Sequence, residues 1–165
     1  MDKALSNEDV EKIVGHKIGL VTYDMIKNIY DVNEMFVNDC CLIYYPVTPT
    51  FGHWCCLRKN NNLINFFDSY GDCVDDELEI IHSKFKPDLL HLLQKYCDKG
   101  GKVDYNYHKL QKLSDKISTC GRWCGLFMRY NDMSIDEFAN FFKRKQRLGY
   151  SPDELCVKIS NKFLY

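Results

Sequence analysis

Apolar and polar positions follow two rhythms along this chain. Val10, Ile13 and Val14 recur at helical spacing behind Ser6 and Asp9, an N-cap and a first-turn acid, and Gly15 ends the run. Thr22 to Tyr30 sets Ile26, Ile29 and Tyr30 on one face and predicts a second short helix. Cys40-Cys41-Leu42-Ile43-Tyr44-Tyr45 is apolar on both faces, as in a central strand, with Pro46 and Pro49 expected to close it. Trp54 to Arg58 and Leu63 to Phe67 flank Asn60-Asn61-Asn62 and predict a hairpin, followed by the loop Asp68-Ser69-Tyr70-Gly71-Asp72. Asp75 to Lys84 and Pro87 to Tyr96 predict helix, and Gly100-Gly101 precedes a short strand, Val103 to Tyr107. Cys120 then opens an apolar helix reaching Tyr130. Ser134 with Glu137 forms a capping box for a helix burying Phe138, Phe141 and Phe142. Ser151, Pro152 and Glu154 start a last helix holding Leu155 and Ile159. The fold class this predicts is α+β, a small mainly antiparallel sheet packed against helices, in one domain over residues 1–165.

Composition narrows the function classes. Hydrophobic residues make up 45% and charged residues 27%, so a sizeable core is available. The formal net charge is −1, which gives no general excess of positive charge for nucleic acid or anionic lipid. Lys143 to Arg147 is locally basic and is read as the solvated end of a helix. No stretch reaches the roughly 18 apolar residues a membrane span needs. The chain opens without a secretory pattern. Its nine cysteines are odd in number, and Cys40-Cys41 and Cys55-Cys56 are neighbours that point to opposite faces of a strand. Mostly reduced thiols in a reducing compartment are expected.

Cys120 stands where a loop meets a helix, and a helix N-terminus favours a thiolate. Taken alone, it reads first as a core thiol, since free cysteines usually pack. Gly121 beside it removes side-chain bulk near a bound carbonyl. Cys124, one turn on, is expected to pack. His53 precedes Trp54 at the mouth of a strand, and Asp68 ends the paired strand at the same open end of the hairpin. An acid beside a histidine fixes its tautomer and favours its cation. His16, His82 and His91 have no evident cysteine partner, and His108 is a weaker candidate than His53.

Gly52-His53-Trp54, Phe67-Asp68-Ser69-Tyr70-Gly71 and Ser118-Thr119-Cys120-Gly121-Arg122-Trp123-Cys124 together resemble the adenain and Ulp1-like cysteine peptidases, over roughly residues 6 to 145. The order His53, Asp68, Gln111, Cys120 is similar to that clan's order of base, acid, oxyanion glutamine and nucleophile. The short helical start and the Cys-Gly-x-x-Cys segment resemble the adenovirus-type maturation proteases, whose kin occur in virophages, self-synthesising transposons and large DNA viruses. The resemblance implies a papain-like core with the nucleophile at a helix N-terminus. It also implies a thiol endopeptidase that cleaves capsid or core precursors at glycine-containing sites, in the virion and in the host cytoplasm or virus factory. Cys120, His53, Asp68 and Gln111 are then the catalytic residues. Gln111 precedes Cys120 by nine residues, a longer interval than the family's. No metal or other cofactor is expected, a monomer is expected, and activation by a peptide or by DNA is a family property left open here. The alternatives are a deubiquitinating or deSUMOylating isopeptidase and a non-enzymatic virion protein. A zinc site is disfavoured, because Cys120 and Cys124 lack a matching His or Cys pair.

Overall fold

The computed structural model describes residues 3–76, 78, 85–114, 116–144 and 148–165. Its elements begin with helix α1 (Asn7–Val14), which has a complete capping box between Ser6 and Asp9 and ends at left-handed Gly15. Strand β1 (Gly19–Thr22) and two 3₁₀ turns (Tyr23–Asn28 and Val32–Met35) follow. Strands β2 (Cys40–Thr48), β3 (Phe51–Asn60) and β4 (Leu63–Phe67) come next, then α2 (Asp88–Asp98) and β5 (Lys102–Tyr105). Helices α3 (Cys120–Arg129), α4 (Ile135–Arg144) and α5 (Pro152–Leu164) complete the order. Most of the helix expected over residues 75–84, with His82, and residues 145–147 of the basic run lie outside the described residues.

The five strands form one sheet in sequence order. The long β2–β3 and β3–β4 ladders are antiparallel, and β1 and β5 add parallel strands at the two edges. The class is α+β, as expected. Several local expectations change. Strand β3 begins at Phe51 and not at Trp54, so His53 lies within the strand, and Asn60 pairs with Leu63, which leaves only Asn61-Asn62 as the turn. Gly19–Thr22 is a strand and was not predicted, and Tyr23–Asn28 is a 3₁₀ turn within the expected helix. Strand β2 does not stop at Pro46, which faces Gly52. The strand continues to Thr48 past an irregularity between Pro46 and Thr48, and such an irregularity tolerates a residue without an N–H.

Helices α1, α3, α4 and α5 cover one face of the sheet around Trp123, Phe127, Phe138 and Phe142. Helix α2 and the 3₁₀ turns cover the other around Tyr23, Tyr45, Phe66 and Leu89. The adjacent cysteines divide between these layers, Cys40 and Cys56 facing the first and Cys41 and Cys55 the second. In α5 the fully buried positions are Cys156 and Ser160, while Leu155 and Ile159 are only partly buried.

Helix α3 carries the site and is held by α1 and by β3. Gly121 and Gly125 lie one turn apart, and a Cβ on Gly125 would sit 2.9 Å from Ile13 Cγ2. The two glycines form the seat for α1. Gly121 therefore has a packing role, towards Val10, Leu5 and Trp54, besides the open space expected at the nucleophile. At the other end Arg58 reaches from β3 and donates to the carbonyls of Phe127 (2.9 Å), Tyr130 (3.0 Å) and Met133 (2.6 Å). These include carbonyls that a helix C-terminus leaves without intrahelical partners.

Candidate active site

The β3–β4 hairpin sets the geometry. Its register pairs Asn60 with Leu63 and Cys56 with Phe67. One step further, Cys55 falls opposite Asp68, and His53 falls opposite Tyr70. His53 therefore meets Asp68 on the diagonal and not straight across, with Nε2 3.1 Å from Oδ1. Both are buried, Asp68 completely. The carboxylate also accepts the Tyr70 N–H at 2.8 Å and the Cys55 thiol at 3.6 Å. Tyr70 lays its ring over the imidazole, centroids 4.8 Å apart.

Cys120 begins α3, with its side chain close enough to His53 to favour the imidazolium. The two lie in one cleft of about 420 Å³, with Gln111, Trp54, Tyr44 and Gly121 also on its walls. Tyr44 and Trp54 are register partners with rings 4.7 Å apart, and Gly52 has no side chain because the Tyr44 ring occupies the space a Cβ would need. At the cleft's edge Ala4 and Leu5 come in from the chain's start.

Gln111 is held as firmly as the acid. Its Oε1 accepts the Ser69 hydroxyl at 2.7 Å, and its backbone N–H donates to Ser69 O at 2.9 Å. Its Nε2 end is thereby directed to the Tyr70 hydroxyl (3.2 Å) and the cleft. Asn106, fully buried, ties the same loop down by donating to Asp68 O at 2.7 Å. The turn Asp68-Ser69-Tyr70 thus touches the histidine with its first and third residues, and the glutamine with its second and third.

Burial acts on the His53 imidazolium to lower its pKa, but the electrostatic influence of neighbouring Cys55 and hydrogen bonds with Asp68, Cys120 and Cys55 outweigh it. The pKa stands well above the usual histidine value. Cys124 differs from Cys120 as expected. It is fully buried, donates to Trp54 O, and burial raises its thiol pKa well above the usual range. Burial likewise pushes Cys40 up to about 12.

All four predicted site residues, Cys120, His53, Asp68 and Gln111, come together. His108 does not join them; Asp136 (2.7 Å) and Lys143 (2.8 Å) hold its two nitrogens. His16 and His91 are exposed. Cys55, Ser69, Tyr70 and Asn106 were not anticipated. Counting the hairpin register from its turn reveals Cys55 and Tyr70; the sequence carries no comparable signal for the other two. His53, Cys55 and Asp68 bring ligand-type atoms within 4.8 Å of one another, the one such trio among the described residues. In this structure those atoms bond to each other.

The arrangement is an α+β scaffold that brings a thiol and an imidazole to one cleft, with a carboxylate bonded behind the imidazole and a fixed amide on the same cleft's wall. The chain is 32% identical over 167 residues to "Uncharacterized protein V9" of Sputnik virophage, covering 95% of this chain and 94% of that protein. It belongs to the family of that virophage protein. No family model matches the chain. Among solved structures, two of the SUMO protease Ulp1, with its catalytic cysteine oxidized to a sulfinic or to a sulfonic acid, are similar at TM-scores of 0.39 and 0.38. Both are 12% identical and cover 99% of this chain and 80% of theirs. Scores this low have no bearing on activity.

Proposed function

We propose that this chain is a cysteine endopeptidase that cleaves viral capsid or core precursors at glycine-containing sites. The observation that carries the reading is the line from buried Asp68 through buried His53 to the partly covered Cys120 at the start of α3. With Nε2–H given to Asp68, Nδ1 is the nitrogen available to the thiol proton. The Cys120 proton passes to His53, or the two already rest as a thiolate–imidazolium pair, as the raised His53 pKa favours, and the sulfur attacks the scissile carbonyl carbon. Gln111 Nε2 and the Cys120 backbone N–H hold the oxyanion. His53 protonates the departing amine as the C–N bond breaks and leaves a thioester. Water then attacks this thioester, giving its proton to His53, and the C–S bond breaks as Cys120 is reprotonated. The mechanism as proposed uses no metal. The precursor-cleaving part of the reading is supported by the virophage origin of the relative.

Iodoacetamide at limiting concentration is expected to label Cys120 selectively, with His53→Ala abolishing the selectivity. Labelling of Cys120 at the rate of any exposed thiol would refute the enzyme. Recombinant virion precursors and ubiquitin-like precursors, each incubated with wild type and with Cys120→Ala, separate the substrate classes. Cleavage of ubiquitin-like precursors alone would replace the maturation reading with the isopeptidase one. Adding DNA or virion peptides to the same assay tests for an activator.

A further inference from the structure

The residue after Gln111 and the residue before Cys120 bond to the same carboxylate. The Lys112 N–H donates to Asp153 Oδ2 at 2.8 Å, and the Thr119 hydroxyl donates to Asp153 Oδ1 at 2.7 Å. Trp123, one turn into α3, donates its indole N–H to the same Oδ1 at 3.0 Å. Asp153 is 3% exposed and stands in the first turn of α5, where the helix dipole favours a negative charge. Thr119 occupies the N-cap position of α3 but makes no capping bond with its side chain. A threonine there ordinarily accepts from its own helix. Here the hydroxyl is turned to Asp153, and no side chain caps the first turn, whose N–H groups the Cys120 site would use.

We infer that Asp153 is a positioning residue for the oxyanion site, fixing the glutamine from one side and the nucleophile from the other. The inference rests on the cysteine-peptidase reading and adds α5 to the working parts of the site. It also accounts for the nine-residue interval between Gln111 and Cys120: the ends are fixed by one external carboxylate, so the length between them carries little constraint. Helix α5 is independently locked to α3, since Arg122 donates to Ser160 (2.8 Å) and Asn161 (2.7 Å). The position of Asp153 therefore follows that of the helix bearing Cys120.

Asp153→Asn separates the two ends. Its remaining oxygen still accepts from Thr119 and Trp123, whereas its amide places a donor against the Lys112 N–H. In this variant the Lys112 amide, followed by NMR, is expected to exchange about fivefold faster or more. A second readout is acetyl-Gly-Gly-aldehyde, whose adduct with Cys120 puts an oxygen in the oxyanion position. Its affinity is measured by protection of Cys120 from iodoacetamide. Asp153→Asn is expected to weaken it about tenfold or more, as Gln111→Ala does, while the iodoacetamide rate itself stays within roughly threefold. Cys156→Ala, a cavity in the same helix, serves as the control for lost stability. An unchanged Lys112 exchange rate would overturn the inference, as would aldehyde affinity in Asp153→Asn that merely follows melting temperature along with Cys156→Ala. If wild type shows no His53-dependent labelling of Cys120, the peptidase reading fails first and the positioning role fails with it. A His53-dependent wild type with an inert Asp153→Asn sinks the positioning role alone.

Discussion

At His53 two physical effects oppose each other. Desolvation disfavours the imidazolium, and the surrounding acid and thiols favour it more strongly. A raised pKa in the folded state makes the sign of the pH dependence definite. The histidine's contribution to stability is fully present below its unfolded value of about 6.5 and is lost as pH rises through the raised folded value. Urea midpoints measured from pH 5 upward should therefore fall above neutrality in wild type. In Asp68→Asn, which removes a carboxylate hydrogen-bonded to the imidazole, that fall should shrink and begin at lower pH. The two cysteines of α3 give a second residue-scale test. Cys124→Ser should leave selective iodoacetamide labelling in place, because the Cys124 thiol is fully buried with a raised pKa. Cys120→Ser should abolish it. Of this site, the thiol and the acid are legible in the sequence because each sits at an element boundary, and the base because it lies near the open end of the hairpin that ends at the acid. The supports Ser69, Asn106 and Asp153 are not, since their partners lie 42, 38 and 34 residues away.

Among the elements, the hairpin and the helix caps are local in sequence and were predicted closely. Ser151 forms both halves of the expected box, Ser6 caps α1 as expected and gains the reciprocal bond from Asp9, and the box expected at Ser134 shows one half, Ser134 Oγ accepting from the Glu137 N–H. Strand β1 was missed because it is four residues long and pairs in parallel with β2, a partner more than twenty residues away. Its burial alternates, but the exposed position is Leu20 and one buried position is Gly19, so the pattern of apolar residues does not mark it. The seat of α1 has no local signature, because the space left by Gly121 and Gly125 is filled by Val10 and Ile13 from a helix distant in sequence. Gly125→Leu should clash with Ile13 and cost roughly 1–3 kcal/mol, read as a lower melting temperature. Arg58→Met should cost about 3 kcal/mol in urea titration, since three carbonyls at the end of α3 lose their donor.

Over the whole molecule, the sheet separates two apolar layers and the cysteines are shared between them. Six are buried, Cys73 and Cys120 are partly covered, and Cys97 is exposed, all with free thiols. Ellman's reagent on the native chain should therefore find three fast thiols and six that react only as the fold opens, with all nine reacting in denaturant. Fewer than nine in denaturant would reveal a bridge that the structure does not contain.

The contact between α1 and α3 also sets an order of events during synthesis. Residues 7–14 leave the ribosome early, yet the glycines that receive them are residues 121 and 125. At about 5–20 residues per second, the first helix waits for roughly 5–20 seconds with Val10 and Ile13 unburied. Ala4 and Leu5 face the cleft only once Gly121 has joined them. The beginning of the chain is thus among the last parts to find its place, and a nascent chain cannot present the complete cleft.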